Sequence, residues 1–288
     1  LFISASTLSE LENIRIIYDI TEWYPSKKNL CHYNHLVKWF VFLKLLAFNI
    51  WVSGFADSFI FGEWYKSRPY RILFPGKPFI FTSYYPDLKY IKHSPPLIKK
   101  GTIRLSFSGK ISFDKGFGYF MDTINLLSER LPDLKIEVKI IGWHEKSCEK
   151  YNTDFKLLQN DNISVTKYDR QPFADYIDLI KDSDIFIDLR VTDAENHNCL
   201  PVKLFYYAAL GRPVIFSNLK AIRKEIDISS FGYLVKPEKT EETVAILIEY
   251  LNNPEKYYSH CKSARQISEE RYNWESLEQQ FINFITCS

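Results

Sequence analysis

"DIFIDLRVTDAENHNCLPVKLFYYAALGRPVIFSN", residues 184–218, reads as a strand, a polar loop, a helix and a second strand. "DIFIDLR" (184–190) and "PVIFSN" (213–218) are short, nearly continuous apolar runs, as expected of strands covered on both faces. The helix is placed over 202–210, with Pro201 suited to its start and Gly211 just past its end. A strand–helix–strand unit of this length makes a parallel crossover.

The same alternation extends in both directions. Strands are read at 102–109, 135–142, 163–168 and 232–237, and helices at 115–130, 145–159, 172–182, 219–226 and 240–252. The tail from "PEKYY" onward is helical. Before residue 93 come three shorter strands, "IRIIYDI" (14–20), "DSFIF" (57–61) and "KPFIFTS" (77–83), with "YKSRPYRILFPGKP" (65–78) read as loop from its prolines and basic residues. "HSPPLIKKGT" (93–102) is the linker candidate. The expected fold is α/β with two Rossmann-like domains facing a cleft: residues 1–98, with the first domain reading as incomplete, residues 99–264, and a closing helix over 265–288 that crosses back.

Composition sets broad limits. With 288 residues, 46% of them apolar, the chain can bury a sizeable core, and a net charge of +2 offers no field for nucleic acid. The five cysteines, Cys31, Cys148, Cys199, Cys261 and Cys287, lack metal-ligand spacing and suit free thiols in a reducing cytoplasm. Leu1 opens without the basic start of a signal peptide. Residues 36–56, "LVKWFVFLKLLAFNIWVSGFA", are the most apolar stretch. Lys38 and Lys44 argue against a spanning helix, leaving either a helix packed on its own sheet or one lying on the inner face of a membrane.

In open parallel sheets, ligands sit beyond the carboxyl ends of the strands. Three loops there hold polar groups. "SGKISFDKG" (108–116) places Lys110 and Lys115 around the turn into a helix, as a diphosphate site or as two solvated lysines. "VTDAENHNCLPV" (191–202) brings Glu195, His197 and Asn198 beside the backbone of residues 199–203, suited to an anion or a sugar hydroxyl. "YDITEWYP" (18–25) holds Asp19 and Glu22, which could orient hydroxyls, act as bases or cap the next helix. No G-x-G-x-x-G or phosphate-binding P-loop follows any strand.

In this order the motifs resemble the retaining, nucleotide-sugar-dependent glycosyltransferases of family 4 (group 1), well over 102–285 and more loosely over 14–95. "GKISFDKG" is similar to that family's G-R-x4-K-G, with Lys110 in place of Arg, which loses the bidentate fork. "NCLPVKLFYYAALGRPVI" (198–215) is similar to the N-S-L-P-x-K-L-F-E branch, and "DITE" (19–22) to D-x-H-E/D, with Thr21 where His is common.

The resemblance implies transfer of a sugar from a UDP- or GDP-linked donor to a glycan or lipid-linked acceptor, with retention and no metal. The setting it implies is the synthesis of cell-surface polysaccharide. Lys110, Lys115, Asn198 and Glu22 would carry catalysis. Gly109, Lys110, Lys115, Tyr168, Asn198, Cys199, Leu200, Pro201, Lys203 and Tyr206 would bind the donor, with Arg170 beside Tyr168 at the base. Asp19, Thr21 and Glu22 would face the sugar and acceptor. Two family glutamates eight positions apart fall on Asn198 and Tyr206, so the ribose loses its carboxylate partner. A degenerate transferase-fold protein that binds a nucleotide or partner is the alternative. A sugar-nucleotide epimerase would need acid and base carboxylates, for which Glu22 and Glu195 are the candidates.

Overall fold

The structure is a computed structural model and describes residues 14–21, 25, 30, 33–92, 98–143 and 160–286. Glu22, Cys31, Cys148, Cys287, the helix expected over 145–159 and the first half of the linker candidate (93–97) lie outside them. The chain forms two units. One runs to Tyr84 and takes in the chain from Leu277; the other spans Tyr85–Ser276. The sequence had suggested divisions at 98 and 264.

The first unit contains β1 (Ile17–Ile20), α1 (His35–Gly54), β2 (Ser58–Phe61), α2 (Trp64–Leu73) and β3 (Phe79–Phe81). The three strands are parallel in the order β1-β2-β3. Their core joins Ile20, Ala56, Phe59 and Phe61.

The stretch 65–78, read as loop, instead contains helix α2 with Pro69 inside it. Tyr70 explains why. Its ring packs 5.5 Å from that of Phe59 and 5.6 Å from that of Phe61, and this burial outweighs the proline's poor helix propensity. The stretch 36–56, read as packed on its own sheet or lying on a membrane, packs on its unit along one side only: Asn49, Val52 and Ser53 are buried and Val41, Phe42, Leu45 and Leu46 half-buried, while Leu36, Trp39, Phe40, Leu43, Phe48 and Trp51 are exposed.

The second unit contains β4 (Thr102–Lys110), α3 (Phe117–Arg130), β5 (Lys135–Trp143), β6 (Ile163–Tyr168), α4 (Phe173–Ile180), β7 (Ile185–Asp188), α5 (Ala194–His197), α6 (Lys203–Ala209), β8 (Val214–Ser217), α7 (Lys220–Glu225), β9 (Gly232–Val235), α8 (Thr240–Asn252) and α9 (Pro254–Glu270). A last helix, α10 (Glu275–Thr286), carries the chain into the first unit, where the Phe284 carbonyl accepts from Arg15 at 2.7 Å.

The second sheet has six parallel strands in the order β6-β5-β4-β7-β8-β9. Every residue of β7 and β8 is buried, as central strands with two covered faces require. On one face Ile103, Leu105, Phe107, Ile185 and Ile187 pack with Phe120, Ile124 and Leu127 of α3 and Leu247 of α8. Alternation turns Phe186 to the other face, where its ring stacks on Tyr207 of α6 at 3.8 Å. Both faces of the sheet are therefore covered by helices. From β4 the chain winds outward to β5 and β6, then returns to β7 on the other side, so the crevice between β4 and β7 is the topological switch point.

Candidate functional site

At that switch point the loop after β4 and the loop after β7 are tied together by Asn196. Asp193 caps the short helix α5 by accepting from the Asn196 amide at 2.7 Å, which orders part of a segment read from sequence as loop. The Asn196 side chain, 1% exposed, donates to the Val191 carbonyl at 3.0 Å and to the Asp114 carbonyl at 3.3 Å. Its Oδ1 accepts from Lys115 Nζ at 3.4 Å. Sequence reasoning passed over Asn196: Asp193 can be read as a helix cap, but it bonds a backbone amide and gives no sign of what the Asn196 side chain does.

Gly116 fixes the approach of the two loops. Its φ is +78°, and a Cβ there would sit 2.1 Å from the Leu189 carbonyl oxygen. Only glycine fits, and Lys115 is thereby held beside the end of β7.

Lys203, the first residue of α6, reaches the same crevice from the other side. Its Nζ donates to the Ser108 carbonyl and lies 3.5 Å from Asp188 Oδ2. A Cβ at Gly109, whose φ is +116°, would come within 3.3 Å of that ammonium.

Asp188 is also gripped by Arg190, Nε to Oδ1 at 2.9 Å and Nη2 to Oδ2 at 2.6 Å. Burial alone would raise the Asp188 carboxyl; Arg190 and then Lys203 overcome this and hold it well below the usual range. Burial lowers Lys203, with Asp188 partly compensating. Beneath them Ser108 Oγ lies 2.7 Å from the Tyr207 hydroxyl and 3.0 Å from that of Tyr176. Burial pushes Tyr176 up to about 12, so it remains a neutral phenol. The crevice thus offers two lysine ammonium groups on a rigid, hydrogen-bonded floor, an arrangement suited to a polyanion.

Lys110 ends β4 opposite Trp143, half-buried. Asn198 is exposed, caps the end of α5 and spends its Nδ2 on the Ala194 carbonyl at 2.9 Å. The Asn198 and Cys199 amides bond back to Glu195 and Asn196, so the expectation that Cys199 opens a donor-facing row of amides is corrected. Leu200 and Pro201 are buried, and the Pro201 carbonyl accepts from Leu204 at 3.0 Å. Tyr206 is half-buried with its ring 5.3 Å from that of Phe173, and burial raises its hydroxyl. Tyr168 ends β6. Nearby, the Arg170 guanidinium lies 5.5 Å from the centre of the Trp143 ring, forming a flat surface at the ends of β5 and β6.

In the first unit, Thr21 and Asp19 also lie at strand ends. The Thr21 carbonyl accepts from Lys66 at 2.6 Å, and Lys66 pairs with Glu63 at 3.1 Å. Burial, then the charges of Asp19 and Glu63, push Tyr84 up to about 12. Glu63 and Tyr84 were missed from sequence; their proximity comes from parallel pairing of β1, β2 and β3. Glu22 lies outside the described residues. Among the described residues, no group of three or more His, Cys, Asp or Glu side chains is placed to hold a metal ion.

A sequence profile described as "Glycosyl transferases group 1" matches residues 102–253, more than half of the chain. The chain belongs to this family. No curated protein sequence matches it.

Among solved structures, HepE of Anabaena in complex with UDP-glucose superposes with a TM-score of 0.68 at 14% identity, covering 100% of this chain and 76% of that one. Sucrose-phosphate synthase of Thermosynechococcus elongatus gives 0.67 at 14%, covering 100% and 73%. TarM of S. aureus gives 0.65 at 13%, covering 96% and 51%. The chain therefore spans about half the length of TarM and about three quarters of the other two. These likenesses establish the fold, that of two-domain glycosyltransferases with Rossmann-like units.

Proposed function

We propose that this chain transfers a sugar from a nucleoside-diphosphate donor to a glycan or lipid-linked acceptor, with retention of anomeric configuration, in the cytoplasmic assembly of a surface polysaccharide. One observation carries the reading: Lys115 and Lys203 converge on the switch-point crevice of the domain that matches the family. HepE structures solved with UDP and UDP-glucose favour UDP as the nucleotide.

Lys110, Lys115 and Lys203 balance the diphosphate, and their fixed positions favour its departure as the anomeric C–O bond breaks. Positive charge supplied by lysines makes a divalent metal unnecessary. Gly109 and Leu200 lend backbone to the same crevice, and Pro201, which has no N–H and whose carbonyl is taken by Leu204, helps to shape it. Tyr206 meets the ribose, and Tyr168 with the Trp143–Arg170 surface flanks the base. Asn198 serves the donor sugar once its amide turns from the Ala194 carbonyl. Asp19, Thr21 and Glu22, joined by Glu63 and Tyr84, orient the acceptor.

The test is UDP release from a panel of UDP-sugars by the full chain, with and without chelator. Turnover that is insensitive to chelator and lost in Lys115→Ala supports the proposal. UDP binding without turnover across donors and acceptors would favour the non-catalytic nucleotide-binding alternative.

A further inference from the structure

Helix α1 is apolar on both its sides, unlike an ordinary surface helix. Its inward side carries the half-buried Val41, Phe42, Leu45 and Leu46 and the buried Val52, together with two buried polar residues: Ser53 Oγ donates to the Asn49 carbonyl at 2.7 Å, and the Tyr70 hydroxyl donates to Asn49 Oδ1 at 3.3 Å. Lys38 falls on this side by the helical period. Its outward side presents Leu36, Trp39, Phe40, Leu43, Phe48 and Trp51, with Leu36 84% and Phe40 71% exposed. Lys44 is the one charge among them, and the helix holds no Asp or Glu. A helix that meets water carries polar groups on its outward side, and a continuous apolar face of this kind marks a docking surface.

The surroundings specify what docks. Over residues 33–84 the charged side chains are Lys38, Lys44, Lys66, Arg68, Arg71 and Lys77 against only Asp57 and Glu63. Arg68 and Arg71 are exposed on α2 and, with Lys77, Ile72 and Phe79, line an open cavity of about 480 Å³. Lys77 donates to the Gly54 carbonyl at 2.6 Å, so this basic, apolar-walled cavity adjoins the end of α1. A second copy of the chain would bring two basic surfaces together in a two-fold contact. An apolar face bordered by cations instead complements acyl chains beneath anionic headgroups, with tryptophans at the boundary.

We propose that α1 and the Arg68–Arg71 surface seat the chain on an anionic lipid bilayer. The helix is long and apolar enough to cross a membrane. Its anchoring to the unit through Asn49, Ser53 and Lys77 nevertheless makes it lie in the interface, with the basic cavity at headgroup level.

The test is sedimentation of the full chain with vesicles of phosphatidylcholine alone and of phosphatidylcholine mixed with phosphatidylglycerol, a readout that needs no sugar nucleotide. Binding to the mixed vesicles, a blue shift of tryptophan emission and loss of binding at high salt are expected. The double change Phe40→Glu and Leu43→Glu should lower partitioning by about tenfold or more. Arg68→Glu with Arg71→Glu should lower it by about tenfold and flatten its salt dependence. These side chains are exposed, and unchanged circular dichroism and thermal unfolding check that each variant is folded. A wild-type chain that stays in the supernatant with both vesicles overturns the proposal. So does a dimer in buffer that Phe40→Glu dissociates, without vesicle binding by wild type, because a second copy would then be the occupant.

Discussion

Asp188→Asn removes the anion on which two cations at the switch point depend. The carboxylate side chain is 4% exposed, Arg190 7% and Lys203 27%. Removing one partner of a buried ion pair costs about 3–5 kcal/mol, because the remaining charge is left uncompensated. Lys203 keeps some water, which discounts its share and puts the expected loss near the lower end, about 3 kcal/mol. For a unit of this size each kcal/mol moves Tm by about 2–4 °C, so the transition of the second unit should fall by about 6–12 °C at neutral pH.

The pH dependence has a definite sign. Asp188 is depressed in the folded chain, so its contribution is complete above the unfolded carboxyl value of about 3.9 and is lost as pH falls through that value toward the folded one. The gap between wild type and variant should be flat around neutrality and should narrow in acid. Scanning calorimetry of both proteins over the acid range measures this. A gap below about 2 °C at neutral pH, or one that widens in acid, would refute the reasoning.

Gly116→Ala should destabilise the second unit by at least about 2 kcal/mol in urea titrations, since αL strain of about 1–2 kcal/mol is joined by the clash with Leu189. It should also weaken UDP binding by displacing Lys115. Burial lowers the Lys203 pKa, so its charge is lost earlier than an ordinary lysine's as pH rises. Isothermal titration should show UDP affinity declining in the alkaline range, a decline that disappears in Lys203→Met along with part of the affinity. Tyr206→Glu should tighten UDP binding by about fivefold, the difference between a neutral and a charge-assisted hydrogen bond to a ribose. Weaker binding in a folded variant would mean that the tyrosine has a role of its own.

The second sheet was legible because its strands are apolar runs and its helices carry local signals. β6 and α8 match their expected spans, and β4, β5 and β8 differ only at their ends. Helix α2 was not legible, because what forms it is contact with Phe59 and Phe61, which no local pattern around Pro69 reveals. The exposure of α1 was equally hidden: hydropathy records that Phe40 and Trp51 are apolar, not which way they face.

At the site, spacing drew attention to Lys110 and Lys115, and the family resemblance added Lys203 as a donor-binding residue. It could not disclose that Asn196 joins the two loops, that Arg190 turns back onto Asp188, or that Asn198 spends its amide on its own helix. Those arrangements depend on strands distant in sequence being neighbours. Asp188 and Arg190 in particular read from sequence as two polar residues ending an apolar strand.

The central claim is that the crevice between β4 and β7 binds the diphosphate of a sugar nucleotide through Lys115 and Lys203. Isothermal titration of UDP into the wild-type chain and into Lys115→Ala tests it most directly. The account predicts that wild type binds UDP and that the substitution weakens binding by about tenfold or more, the loss of a charge-assisted contact. Wild-type protein that fails to bind UDP or any other nucleoside diphosphate, or a Lys115→Ala variant that binds UDP as well as wild type, would contradict it.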